Sequence, residues 1–341
     1  MVRTGVAEGS ARAGSSETAA PSLPPVALCF PGQGSQTPGM AAGLLEGATA
    51  SEMLEVARGK GLDLAAALEG GEAELRATEI AQPALLFVEV MLTRSVPDDV
   101  QVVAAVGHSA GEYAALVAAG VLSPGAAMRL VIERGRLMAT SGGGAMSAVL
   151  GLDDERVREI CEEVSGADHG VVVVANLNAP GQVVISGTAE AVASAAELAK
   201  ARGARQVRPL AVSGAFHSPL MRDAAAAFAR ELDAAAFSDA VLPVVSNVDA
   251  HPVREAAELK ERLRRHLVSP VLWAECVRRL PSLGVEALVE LGPGRVLTGL
   301  ARRILPEVPA LNASSLEEVR TLPERLPVVP APQRAGKAED E

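Results

Sequence analysis

The stretch Val102-Val-Ala-Ala-Val-Gly-His-Ser-Ala-Gly-Glu-Tyr113 decides how the chain is read. Its first part is an unbroken run of β-branched and small apolar residues, which predicts a strand buried on both faces rather than one that alternates between core and water. One serine then stands between two glycines. After it the apolar residues recur at helical spacing as far as Ala119, and Gly120 predicts the helix end. Gly107-His-Ser-Ala-Gly111 between a strand and a helix is the pattern of a nucleophile elbow. Small flanking residues allow a sharp turn, so the hydroxyl of Ser109 projects at the carboxyl end of the strand. The amides that follow lie at a helix N-terminus, where they can hold an oxyanion.

Working outward, residues 26–30 form a second apolar run that ends in Pro31-Gly-Gln-Gly-Ser-Gln36, a buried strand feeding a glycine-rich loop. Helices are expected over 41–60 and 82–96. Strand, loop and helix alternating in this way predict an α/β fold whose parallel sheet is covered on both faces. From residue 145 the texture changes. Strands are expected at 146–150, 171–175, 182–186 and 204–212, and helices at 153–164 and 189–202. The order strand-helix-strand-strand-helix-strand is that of a ferredoxin-like small subdomain, here an insertion over 145–213. A main domain over 25–144 and 214–315 then resumes with a helix at 220–236, a strand at 243–246, a charged helix at 255–267 and a last strand at 287–291. Residues 1–24 and 320–341 lack any hydrophobic period and are expected to be disordered tails.

Composition narrows the function. The 341 residues suffice for a large core, and 49% hydrophobic with only 2% aromatic residues means a core of Ala, Val and Leu, with few rings on which nucleobases could stack. A formal net charge of -11 argues against nucleic acid and anionic membranes as partners, because both attract a positive surface. Cys29, Cys161 and Cys276 lie far apart with no ligand-like spacing, so reduced core thiols and no metal are expected. There is no signal-peptide pattern and no apolar stretch long enough to span a bilayer, which leads to the expectation of a cytoplasmic protein.

A serine nucleophile needs a base. The histidines are His108, His169, His217, His251 and His266, and His108 adjoins the serine too closely for the usual elbow geometry. His217 occupies a loop ahead of a helix, where it can face the catalytic edge of the sheet. Spacing alone leaves the choice open.

Several motifs occur together and in order: Phe30-Pro-Gly-Gln-Gly-Ser-Gln36, Ala81-Gln-Pro-Ala84, Gly107-His-Ser-Ala-Gly-Glu-Tyr113, Glu133-Arg-Gly135, Asn178-Ala-Pro-Gly-Gln182, Ser213-Gly-Ala-Phe-His-Ser-Pro-Leu-Met221 and Glu290-Leu-Gly-Pro-Gly294. In these residues, over 26–312, the chain resembles the malonyl-CoA:acyl carrier protein transacylases and the acyltransferase domains of polyketide synthases. The resemblance implies an α/β-hydrolase-like core and a Ser-His dyad, with Ser109 as nucleophile and His217 as base. It places the oxyanion between the amides of Gln33 and Ala110, and it gives Arg134 the free carboxylate of malonyl to hold. Gln82, Asn178 and Phe216 match pocket positions. Phe216 stands where relatives using methylmalonyl carry serine, whereas the small Ala110 leaves room for an extender as large as ethylmalonyl. The backbone at His266, where the family usually has glutamine, would orient His217.

The resemblance further implies ping-pong transfer of malonyl from coenzyme A to the phosphopantetheine thiol of an acyl carrier protein, in fatty acid or polyketide synthesis, by a free-standing monomer with no cofactor. An acidic carrier would dock on local basic patches, for which Arg202, Arg205 and Arg208, or Arg302 and Arg303, are the candidates. A hydrolase of stalled acyl groups, a carrier-to-carrier transferase and a silent carrier-binding scaffold are the alternatives.

Overall fold

The computed structural model describes residues 22–166 and 170–328. Its strands are β1 (Val26–Phe30), β2 (Val102–Gly107), β3 (Ala145–Leu150), β4 (Val172–Ala179), β5 (Gln182–Gly187), β6 (Gln206–Pro209), β7 (Val244–Val245), β8 (Pro252–Val253), β9 (Ala287–Leu291) and β10 (Ala310–Ala313). They form two sheets, one of six strands in the order β10-β9-β1-β2-β7-β8 and one of four in the order β4-β5-β3-β6.

The larger sheet is parallel from β10 to β7, and only β8 runs antiparallel at its edge. It is therefore a mixed sheet rather than the purely parallel one expected. β8 is two residues long and begins with Pro252, a residue suited to an edge because it has no N–H to give a ladder. The central strands β1 and β9 are buried at every position, and helices cover both faces. Because β1 and β2 are parallel neighbours, the loop after β1 and the elbow after β2 emerge side by side at one end of the sheet.

The smaller sheet is antiparallel throughout, and the helices Asp154–Gly166 and Ala189–Ala201 pack on it around Val149, Ile160, Val183 and Ile185. The Gln182 end of β5 and the turn before it approach the helix Val296–Ile304 of the larger unit, where Arg303 bonds the Gln182 side chain and the Pro180 carbonyl.

Several boundaries differ from expectation. The helix expected over 41–60 begins only at Ala48, because Gly43 and Gly47 take φ of 74° and 99° and hold the preceding residues in turns. The one expected over 82–96 runs over Thr78–Thr93 and carries Pro83 inside it. Pro83 forfeits one helical hydrogen bond, a loss outweighed by burial of Leu85, Leu86, Phe87 and Val88. β6 is shorter than the strand expected over 204–212. The helices Trp273–Arg279 and Val296–Ile304 and the strand β10 went unread in the sequence.

The expected tail over 320–341 is ordered at its start. Helices Leu316–Arg320 and Leu322–Arg325 bury Val319, Leu322 and Leu326 in the main core, and Arg325 caps the Glu318 carbonyl at 2.7 Å. At the other end Pro24 is already buried. Residues 1–21 and 329–341 of the expected tails, and His169, lie outside the described residues.

Candidate active site

Ser109 follows β2 with φ of 53°, a left-handed conformation that side-chain-bearing residues seldom adopt. Its flanking glycines are required by contact. A Cβ on Gly107 would lie 2.0 Å from the Gly111 carbonyl, and one on Gly111 would lie 2.2 Å from the Phe30 oxygen. The elbow is thus folded tightly on itself and onto the end of β1, where the His108 N–H donates to the Phe30 carbonyl at 2.8 Å. Asn247, buried after β7, clamps the turn from both sides. Its Oδ1 accepts from the Ser109 N–H at 2.8 Å, and its Nδ2 donates to the Gly107 carbonyl at 2.7 Å.

His217 Nε2 lies 2.8 Å from Ser109 Oγ. Its Nδ1 faces two carbonyl oxygens, His266 at 3.0 Å and Ser269 at 3.1 Å. Carbonyls can only accept, so Nδ1 carries the ring hydrogen and Nε2 turns its lone pair to the serine. Burial, and next the positive charge of Arg134, push the imidazole down to about 3, which keeps it unprotonated and ready to accept a proton at neutral pH. Among the described residues no aspartate bonds to the imidazole.

Arg134 projects from the helix Pro124–Thr140, which Ser123 caps and Pro124 opens. Gly135 lets this helix approach Thr78–Thr93 closely, since a Cβ there would lie 3.0 Å from the Glu79 backbone. The guanidinium is 0% exposed. It donates to Gln82 Oε1 at 2.6 Å and to Ser109 Oγ at 3.1 Å, and it lies over the Tyr113 ring at 5.8 Å. Among the described residues Nε has no hydrogen-bond partner and no carboxylate forms a salt bridge with the guanidinium. A buried cation with donors to spare is an electrostatic demand for an anion.

These groups open on one cavity of about 280 Å³. All the candidate catalytic and substrate-pocket residues reach it except His266, whose carbonyl accepts from His217 Nδ1 and whose ring is buried. Ala110 and Gln33 lie at the wall beside Ser109, and among the described residues neither backbone N–H has an acceptor. The Gln33 side chain donates to Thr78 Oγ1 at 3.0 Å, and Thr78 touches Ser213 Oγ at 3.2 Å, so the β1 loop is tied to the His217 loop. Asn178, on β4 rather than in the turn after it, meets His108 Nε2 at 2.9 Å. Phe216 forms part of the wall next to His217.

Of the other histidines, His108 packs against Trp273 with ring centroids 5.4 Å apart and the rings tilted by 58°. The sequence reading missed Asn247 and the buried Glu112, whose Oε2 accepts from the Asn247 N–H at 3.1 Å. Nothing near Asn247 in sequence signals its role. Glu112 carried one signal, an acidic residue in the first turn after an elbow. All three cysteines are buried and free, as core thiols should be. Among the described residues no group of side chains has the arrangement of a metal site, and no helix is long and apolar enough to cross a membrane. Of the candidate docking residues, Arg202 pairs with Glu163, Arg302 and Arg303 bond to backbone carbonyls, and Arg205 and Arg208 are exposed.

A hydroxyl bonded to the bare nitrogen of an oriented imidazole, with free amides beside it, is equipped for covalent acyl transfer through serine. The chain belongs to the acyl transferase domain family, whose model matches residues 28–324. It is 41% identical over 301 residues to the malonyl CoA-acyl carrier protein transacylase of Bacillus subtilis, covering 86% of this chain and 95% of that protein. To the transacylase of the same name from Escherichia coli K12 it is 43% identical, over 86% of this chain and 96% of that one. The crystal structure of malonyl-CoA:acyl carrier protein transacylase from Xanthomonas oryzae pv. oryzae matches with a TM-score of 0.82 at 40% identity, over 89% of this chain and 99% of that one. A malonyl-transacylase in complex with its type II polyketide synthase acyl-carrier protein also matches, with a TM-score of 0.82 at 39% identity over 88% and 99% of the two chains.

Proposed function

We propose that the protein transfers malonyl from malonyl-CoA to the phosphopantetheine thiol of an acyl carrier protein, and that the pathway served is fatty acid synthesis. The observation that carries the reading is Arg134, a buried unpaired cation 3.1 Å from the serine oxygen. A neutral acyl group offers nothing to such a cation, whereas the free carboxylate of malonyl meets it as a charge-assisted fork. The catalytic names borne by the relatives agree with this chemistry.

In the first half-reaction Ser109 Oγ attacks the thioester carbonyl while its proton passes to His217 Nε2. The amides of Gln33 and Ala110 take the developing oxyanion. The carbon–sulfur bond breaks, and the coenzyme A thiolate receives the proton from His217. In the second half-reaction the carrier thiol gives its proton to His217 and attacks the malonyl-serine, and Ser109 recovers its hydrogen. No cofactor is called on. Gln82 holds Arg134 in place, Asn178 fixes His108 at the wall, and Phe216 limits the width of the α-carbon. His266 orients the base through its carbonyl.

In architectural terms we read the larger sheet as an α/β-hydrolase-like core over 25–144 and 214–315, continued by the C-terminal helices, and 145–213 as a ferredoxin-like subdomain. The order of the small sheet and the placing of its two helices support the latter. A carrier would reach the cavity from between the two units, beside Arg205 and Arg208, in the cytoplasm.

Incubation with radiolabelled malonyl-CoA tests the proposal. Wild type should yield labelled enzyme that discharges to a carrier protein, and Ser109→Ala should not label. Label surviving in Ser109→Ala would overturn the nucleophile, and release of free malonate in place of discharge would make the protein a hydrolase. Since Ala110 is small, competition among malonyl-, methylmalonyl-, ethylmalonyl- and acetyl-CoA fixes the extender, with malonyl expected to win.

A further inference from the structure

A second set of contacts joins Ser109 to His217 through the interior. The Ser109 N–H donates to Asn247 Oδ1, and the Asn247 N–H donates to Glu112 Oε2 at 3.1 Å. Glu112 Oε2 lies 3.8 Å from His266 Nε2, and the His266 carbonyl accepts from His217 Nδ1 at 3.0 Å. With the Ser109–His217 bond the circuit is closed. Every link is a hydrogen bond except the one between Glu112 and His266. There both ring nitrogens of His266 lack a hydrogen-bond partner among the described residues, although the residue is 0% exposed and its ring lies 5.3 Å from that of His217. A dry, unpaired imidazole costs roughly 1–3 kcal/mol, and a movement of under about 1 Å would lower that cost by giving Nε2 a partner at the one open link.

We propose that Glu112 and His266 form a hydrogen-bonded carboxyl–imidazole pair that positions His217 and sets its strength as a base. The proposal rests on the reading of Ser109 and His217 given above. When Glu112 is protonated, its hydroxyl donates to His266 Nε2 and the ring hydrogen sits on Nδ1. When the pair loses that proton to solvent, the remaining ring hydrogen resides on Nε2 and donates to the carboxylate. The bond persists in both states while the charge changes by one.

A carboxylate at Glu112 stabilises the imidazolium that forms at His217 as Ser109 is deprotonated. The groups facing the pair are Arg134 from the helix Pro124–Thr140, Tyr113 beside Glu112, His108 from the elbow, His217, Asp249 from the turn after β7, and Cys276 from the helix Trp273–Arg279. Burial is the strongest influence on both members. It raises Glu112 to about 7, against the opposing hydrogen bonds from Asn247 and Ser246 and the charge of Arg134, and it lowers His266. The proton is therefore exchanged in the neutral range, and the rate of Ser109 acylation should climb as pH rises through it.

Rapid-quench measurement of Ser109 malonylation between pH 5 and pH 9, with ¹⁵N NMR of the histidine rings, tests the pair. In wild type the rate should rise several-fold across neutrality, and Glu112→Gln should abolish that rise. His266→Leu should lose on the order of tenfold, the scale of one hydrogen bond to a charged group, and His266→Gln, whose amide still donates to the carboxylate, should recover most of that loss. The ¹⁵N signals of His266 should exchange between acceptor and N–H donor at Nε2 over the same pH range. A folded His266→Leu with wild-type rate and profile would overturn the proposal, as would a single unchanging tautomer of His266 in wild type. The NMR titration needs no variant to fold. Failure of wild type to malonylate would instead refute the nucleophile and base, leaving the titration to judge the pair.

Discussion

Arg134→Ala removes the one group that ties the site to a charged acyl chain, and the size of the effect can be worked from its surroundings. Truncating one member of a buried, hydrogen-bonded charge pair costs about 2–5 kcal/mol. The upper end is reduced here because the guanidinium keeps its bonds to Gln82 and Ser109 in the absence of any anion, so the carboxylate adds bonds at Nε and the remaining hydrogens only. An expected loss of roughly 3–4 kcal/mol corresponds to about 140- to 700-fold in kcat/KM for malonyl-CoA, at 1.4 kcal/mol per factor of ten. For acetyl-CoA the cation supplies no such bond, and its removal frees space, so kcat/KM should fall little or rise. The assay is transfer of labelled acyl groups to a carrier protein from each thioester under subsaturating conditions. If a folded Arg134→Ala keeps the wild-type ratio of malonyl to acetyl within twofold, the buried cation is not the specificity element and the substrate argument fails.

Two further predictions concern the scaffold. Gly111→Ala should destabilise by about 1–3 kcal/mol and cut acyl-enzyme yield, because the added carbon meets the Phe30 and Pro31 carbonyl oxygens, which are backbone and cannot swing away. Gly299→Ala, with open space around it, should cost nothing in a thermal melt. Thermal stability should also fall on both sides of the slightly acidic range. His217 is depressed to about 3, so its contribution is complete above the ordinary histidine value and is lost as pH falls toward 3; Glu112 is raised to about 7, so its contribution is complete below the ordinary carboxylate value and is lost as pH rises through 7. Calorimetry of Glu112→Gln should show the alkaline decline weakened and the acid decline kept.

The central strands and the elbow were legible because their signals are local. β1 and β2 are unbroken apolar runs, β9 is interrupted only by Glu290, and a glycine ends or closely follows each; the steric reason for Gly107 lies nearby at Gly111 and Glu112, whereas that for Gly111, the Phe30 and Pro31 carbonyls, comes only with the fold. The burial of Arg134 was not legible in that way, since an arginine on an amphipathic helix reads as exposed unless the partner helix is known to approach through Gly135. Asn247 was invisible for the same reason. It acts on Ser109 across 138 residues from the turn after a strand only two residues long, which leaves no periodicity to read. The tail expected from residue 320 failed because a few leucines docking on a finished core need no hydrophobic period of their own.

The backbone itself shows what fixes the site. Among the described residues, left-handed φ without glycine occurs at Ser109, His217 and Ala250. Each such residue costs about 1–3 kcal/mol and persists only where its surroundings dictate it. Ser109 and His217 are the two ends of the 2.8 Å bond at which the reaction begins. Ala250 ends the turn opened at Ser246, to whose carbonyl its N–H donates at 3.0 Å, and that turn presents Asn247 to the elbow. Short polar bridges hold the other two positions: Asn247 spans the Ser109 turn, and Ser218 Oγ donates to the Ala215 carbonyl at 2.6 Å around His217. The strain is thus confined to the segments that deliver nucleophile, base and clamp. Relaxing any one would move its group off the line joining Ser109 Oγ to His217 Nε2, so stability is given up where the direction of a single hydrogen bond decides the chemistry.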